Sequence, residues 1–222
     1  PRMVSSHLLV DLGLGLMNKA ENLSGNTHME NMERALLYRD GLIIALLASR
    51  PIRRRNLAGI RIGINFLADS SGYTLHFGAH ETKNHEVLEH PLPHWLSPYI
   101  CRYLEYYRLM FQNAAHHDGL WASSQGGALC SEAIYDRVAI HTKNAFGHSV
   151  NLHLFRDCVA TTIADEDPEN VQVAADLLGH SSLAITERHY IQKNTSKACA
   201  SYQNTLADLH QKLQHDKEMR RG

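Results

Sequence analysis

The sequence predicts a mainly α-helical domain interrupted by one small three-stranded antiparallel sheet. Three observations predict it. Long stretches on either side of the middle carry apolar residues at helical spacing. The texture changes at Gly63 to short β-prone runs joined by polar turns. Helical texture returns at Ser97 and continues to the end of the chain.

The elements follow in order. Residues 3–20 and 29–49 read as helices, and the apolar face of the second, "MENMERALLYRDGLIIALLAS", widens toward its end, so that end is expected to be buried. Pro51 breaks the chain, and "RRRNLAGI" starts a short helix. "INFLADSSGYTLHFG" is two strands around a Ser-Ser-Gly turn. "HETKNHE" is a second turn, and "VLEHPLP" is a third strand ended by prolines, which places the sheet at about 62–92. "SPYICRYLEYYRLMFQNA" is expected to be a helix capped by Ser97 with Pro98 at its first position. After the loop "HHDGLWASSQGGAL", Ser131 is expected to cap "EAIYDRVAIHTKNAF", with Gly147 past its end. "NLHLFRDCVATTIADED", "PENVQVAADLLGH" and "SLAITERHYI" read as further helices, with Gly179 as a stop. After the polar joint "KNTSK" comes an amphipathic helix whose Tyr202, Leu206, Leu209 and Leu213 share one stripe.

Composition sets bounds. At 222 residues the chain is long enough for a substantial core, with 44% hydrophobic and 20% charged residues. No apolar run approaches the roughly 20 residues that span a bilayer, and the opening residues are not expected to act as a signal peptide. The four cysteines form no CxxC pair and read as free thiols of a reducing cytoplasm. The sixteen histidines show no metal-ligand spacing. A net charge of −1 does not advertise a nucleic-acid binder, but "SRPIRRRN" concentrates four arginines in six positions, and local clusters outweigh the total.

Four places hold groups that could meet on one anion: the arginines at 50–55, Lys83 in the second strand turn, His153 and Arg156 three apart in "HLFR", and His180 with Tyr190 in "LLGHSSLAITERHY". The chemistry is consistent with phosphoryl transfer. Arginines clamp the equatorial oxygens of a phosphodiester in displacement, and histidines add hydrogen bonds. A tyrosine phenol can attack phosphorus and form a covalent intermediate. A lysine can protonate the leaving alkoxide. The arginines supply the positive charge that a metal would otherwise bring, so no cofactor is expected.

The order Arg, Lys, HxxR, "LLGH", Tyr resembles the tyrosine recombinases, or phage-integrase family, over roughly residues 30–192. "PIRRRNLAGIRI" resembles the first arginine box, "ETKN" the lysine turn, "HLFRDCVATTIA" the HxxR box, and "LLGHSSLAITERHY" the box of the second histidine and the nucleophile. The resemblance implies a catalytic-domain fold of that family. It also implies catalytic roles for Arg53, Lys83, His153, Arg156, His180 and the nucleophile Tyr190. The family's arginine stands three residues before an acidic or amide position followed by leucine. Asn56-Leu57 fits and selects Arg53, though the family more often has glutamate at that place. Arg54 and Arg55 then lie off the inward face, available for the DNA backbone. The implied activity is site-specific DNA recombination through a 3′-phosphotyrosyl intermediate, without metal or ATP. The implied partners are double-stranded DNA with specific sites and three further copies of the chain, in a bacterial cytoplasm or nucleoid.

Residues 1–192 are expected to form the catalytic domain. Residues 193–222 are expected to form the joint and a helix that either folds back or docks on a neighbouring protomer. Residues 1–28 leave no room for the family's N-terminal DNA-clamping domain, so the chain is expected to be the catalytic half alone. The bland readings are a core role for Tyr190, a solvated Lys83 and a helix-start role for His153. His85 is a second candidate in the lysine turn. The alternatives in function are a type IB topoisomerase, a non-catalytic DNA-binding regulator of the same fold, and a metal-dependent hydrolase using some of the histidines.

Overall fold

A computed structural model describes residues 3–70, 72–82 and 85–166. The described residues form a mainly helical fold with the three-stranded antiparallel sheet that the sequence predicts. Helix α1 spans Ser6–Asn22 and α2 spans His28–Ser49. Thr27 and Glu30 form a reciprocal capping box that starts α2: the Thr27 hydroxyl accepts from the Glu30 amide, and the Glu30 carboxylate accepts from the Thr27 amide. α1 and α2 pack antiparallel at very close range. A Cβ built on Gly13 would come within 2.6 Å of the Gly41 carbonyl oxygen, and one built on Gly41 would meet the Gly13 carbonyl at the same distance. Only glycine at both positions allows this crossing. The second half of α2 is buried without a break from Tyr38 to Ala48, so it is the axis of the core, as its widening apolar face predicts.

Two charged residues lie inside that axis. Asp40 is 1% exposed. It accepts from the Arg39 guanidinium at 3.0 and 2.8 Å and from Arg137 Nε at 2.6 Å, and it hydrogen-bonds His141 Nε2 at 3.0 Å. Burial pushes the Asp40 carboxyl up. The His141 hydrogen bond and the charges of Arg39 and Arg137 outweigh this and hold it down at about 2. Because Arg137 and His141 belong to α5 (Ser131–Phe146), the network ties α5 to α2.

Helix α3 is short, Arg54–Ala58, and leads into the sheet. Strands β1 (Phe66–Asp69), β2 (Gly72–Phe77) and β3 (Leu88–Pro91) lie in the order β1-β2-β3, both pairs antiparallel. The inner face carries Leu75, opposite His90, and Phe77, opposite Leu88. Helix α4 begins at Ser97–Arg102 and winds on through a π-type stretch, Tyr103–Tyr107, and a tight last turn, Arg108–Met110. Helix α6 spans Leu152–Glu166. Its middle is held against the start of α1, where the Ser6 amide donates to Thr162 Oγ1 at 3.0 Å.

Two capping expectations are corrected. A 3-10 turn, His94–Leu96, runs directly into α4, so Leu96 takes the cap position, already in helical backbone, and Ser97 is the first helical residue with its hydroxyl buried. At α5 the cap is Cys130, and the Ser131 hydroxyl instead donates to the Glu132 carboxylate at 2.8 Å. Gly147 does end α5 in the left-handed conformation, at φ 76°. The expected helices after residue 166 lie outside the described residues.

Candidate active site

The site begins where Pro51 stops α2. Arg50 is extended, the Ile52 amide donates to the Arg50 carbonyl at 2.8 Å across Pro51, and Arg53 is the cap residue of α3, with φ −68° and ψ 146°. Helical spacing would set Arg53 on the face of Leu57, four residues on. The helix in fact starts one residue later, yet the Leu57 amide still bonds the Arg53 carbonyl at 2.9 Å, and Leu57 is fully buried. Arg53 is therefore half-buried on the inward side. Arg54 and Arg55 are exposed, as expected, and Arg54 lies 3.9 Å from Glu132.

The far end of α3 is clamped by the loop after α4. Trp121, 1% exposed, donates its indole N–H to the Leu57 carbonyl at 3.0 Å. The Leu120 amide bonds the Ile60 carbonyl at 2.9 Å, and the Ile62 amide bonds the Asp118 carbonyl at 2.7 Å. That loop is itself gathered around Arg108, whose guanidinium donates to the carbonyls of Ala114, His117, Gly119 and Leu120 at 2.8–3.3 Å. A buried cation satisfied by backbone dipoles thus fixes the loop, and the loop fixes the helix that Arg53 caps.

Arg156 arrives from the other end of the chain. Asn151 starts α6 by accepting from the amides of His153 and Leu154, both at 3.0 Å. One turn later Arg156 projects to the segment before α3, and its guanidinium donates to the Pro51 carbonyl at 2.7 Å. Burial lowers the proton affinity of Arg156, and the neighbouring charge of Arg53 lowers it further, although a guanidinium stays charged throughout. Two like charges held together in a partly dry site make a place where an anion is stabilised. Arg53, Asn56, Phe77, Leu88, His90 and Arg156 line one small cleft there.

Of the predicted residues, the structure brings Arg53 and Arg156 together. His153 lies on the same turn of α6 as Arg156 but is exposed. Lys83, His180 and Tyr190 lie outside the described residues. Of the residues flanking Lys83, the buried Thr82 hydroxyl donates to the Glu86 carbonyl at 2.7 Å and accepts from the Glu86 amide at 3.0 Å. His85, the second candidate there, takes positive φ, 56°. No cluster of metal-ligating side chains occurs among the described residues.

Sequence reasoning missed His90. In β3 the side chains alternate, with Glu89 and Pro91 exposed and His90 buried, so a period of two places His90 on the same face as Leu88. That alternation was the available signal, but it runs over only four residues.

Residues 20–197 match the phage integrase family. The chain belongs to the phage integrase family. Among the family's curated members it is 26% identical over 160 residues to the tyrosine recombinase XerD of Chlamydia pneumoniae, covering 72% of this chain and 50% of that protein. It is 26% identical over 153 residues to XerD of Chlorobaculum tepidum, covering 68% of this chain and 48% of that protein. The chain thus spans about half the length of these relatives. The fold resembles that of the XerH site-specific recombinase bound to its difH substrate in a pre-cleavage complex. There the TM-score is 0.62 at 17% identity, covering 89% of this chain and 52% of that one. It also resembles XerA recombinase, with a TM-score of 0.55 at 18% identity over 76% of this chain and 57% of that one. The family match, residues 20–197, spans the stretch from Arg53 to Tyr190.

Proposed function

We propose that this chain is the DNA-cutting part of a tyrosine-type site-specific recombinase. The observation that carries the reading is the convergence of Arg53 and Arg156, 103 positions apart in sequence, on one half-buried cleft in a member of this family. In this reading the two guanidiniums hold the non-bridging oxygens of the scissile phosphate, and His153 and His180 add hydrogen bonds to them. The Tyr190 phenol gives its proton to water as its oxygen attacks phosphorus and forms the 3′-phosphotyrosyl bond. The DNA 5′-oxygen leaves and takes its proton from Lys83. The bond energy of the backbone is kept in the phosphotyrosyl link, so rejoining needs no ATP. The clamped guanidiniums supply the charge stabilisation, so the cutting step needs no metal.

The partner is double-stranded DNA carrying specific sites. The capture of XerH with its difH substrate supports this. Arg54 and Arg55, exposed at the start of α3, contact the DNA backbone. Four copies on two duplexes complete the exchange, and the terminal segment 193–222 is the element that docks between them. None of the described helices is long and apolar enough to cross a membrane. The proposed location is the bacterial cytoplasm, where the DNA is.

The test is a nicked duplex that traps the covalent intermediate, carrying the site that the protein selects from a random-sequence library. The wild-type chain forms a protein–DNA adduct on it. Tyr190→Phe binds the same DNA and forms none. An adduct from the Phe variant overturns the assignment of the nucleophile.

A further inference from the structure

Among the described residues that line the Arg53–Arg156 cleft, His90 is the one polar side chain that the family boxes do not name. It is 8% exposed, on the inner face of β3 directly opposite Leu75. An imidazole among Leu75, Phe77 and Leu88 is costly to bury unless its ring nitrogens find partners. No hydrogen-bond partner for that ring lies among the described residues, and the cleft it lines is the one that Arg53 and Arg156 share. The charged groups near it are Arg50 at the end of α2, Arg53 at the cap of α3 and Arg156 on α6. Arg50 donates to the Pro91 carbonyl at 2.9 Å, fixing the strand one residue beyond His90. The carboxylate of Glu89 faces away, paired with His76 at 3.2 Å on the outer side of the sheet. Among the described residues, what lies around His90 is therefore apolar or positive.

Building on the site reading above, we propose that His90 is a further catalytic residue, donating a hydrogen bond from its ring to a non-bridging oxygen of the scissile phosphate. Burial and the charges of Arg50 and Arg156 hold its proton affinity below the ordinary histidine value, so in the free protein the ring is neutral near pH 7. A neutral imidazole still carries one N–H donor. When the phosphate enters, its negative charge offsets the guanidiniums, and the ring's proton affinity rises. The ring then takes a proton from solvent, and the donor it offers the transition state becomes a charged one. His90 thereby couples occupancy of the cleft to proton uptake.

The experiment uses the full chain and the nicked duplex described above. His90→Leu lowers the single-turnover rate of adduct formation at saturating DNA by roughly tenfold or more, with little change in DNA affinity, because the lost donor acts where charge develops. His90→Gln, which retains an N–H near the same place, recovers part of that rate. In the wild-type chain, the ring resonance assigned to His90 by its loss in His90→Gln titrates at least about one pH unit higher with the duplex bound than without it. Arg156→Ala is the control for the underlying site. If Arg156→Ala abolishes cleavage while His90→Leu cleaves at the wild-type rate, the His90 proposal is overturned and the site stands. If Arg156→Ala cleaves normally, the site reading itself fails. A His90 resonance whose titration does not move on DNA binding overturns the proposal even if His90→Leu does not fold.

Discussion

A guanidinium removed from water must recover its hydrogen bonds, and three arginines here do so in different ways. Arg39 uses a carboxylate, Arg108 uses four backbone carbonyls, and Arg156 uses the carbonyl of Pro51. The Pro51 contact points the planar fork of Arg156 at the cap of α3. Charge alone does not supply that orientation. Arg156→Lys is therefore expected to keep most of the DNA affinity and to lose about a hundredfold in cleavage rate, because an ammonium cannot hold the carbonyl and clamp phosphate in the same plane. Binding titrations beside single-turnover cleavage check this, and equal losses in both would assign Arg156 to plain backbone contact. The value of Arg156 was legible in the sequence because "HLFR" puts it one turn from His153. His90 was not, because a strand of four residues offers too short an alternation to tell an inward histidine from an outward one. Nor was the Asp40 network, since two of its partners lie about a hundred positions away.

At the scale of elements, periodicity served well wherever a helix was long enough to express it. α1, α2 and α5 lie within a few residues of where their apolar spacing placed them, and the sheet lies where β-prone runs met polar turns. Starts were harder. A serine before an apolar run is a cap only if the chain enters the helix from extended backbone, and at α4 it enters from a 3-10 turn. The crossing of α1 over α2 gives a sharper test of packing. Gly41→Ala drives a methyl toward the Gly13 carbonyl and is expected to lower stability by about 2 kcal/mol or more, since neither backbone can give way cheaply. Gly15→Ala, two positions along α1, meets nothing within 4 Å and is expected to raise stability by about 0.5–1 kcal/mol through helix propensity alone. Thermal unfolding of the pair checks both signs. A neutral Gly41→Ala would mean the helices can separate without loss.

For the whole molecule, the Asp40 network makes stability depend on acid. Its carboxyl has a folded value of about 2 against an ordinary 3.8, so the folded state binds the proton less readily than the unfolded one. The resulting stabilisation, of order 2 kcal/mol, is fully present above the unfolded value and is lost as pH falls from about 4 to about 2. Urea unfolding at pH 5 and pH 3 should show that loss in the wild-type chain. Asp40→Asn starts lower at pH 5, by about 3–5 kcal/mol for the buried cations left behind, and should lack this acid-dependent component. An Asn variant with the same acid slope as wild type would move the effect to other carboxylates.

The hydrogen bond from Arg156 to Pro51 spans 105 positions. A growing chain still on the ribosome has made α2 and α3 long before it has made α6, and at that stage Arg53 caps a helix without Arg156 beside it. On the proposed reading, cutting power cannot precede completion of the fold. On that reading a nascent or prematurely ended chain carries the arginine-rich segment to DNA without the paired cleft in which to open a strand.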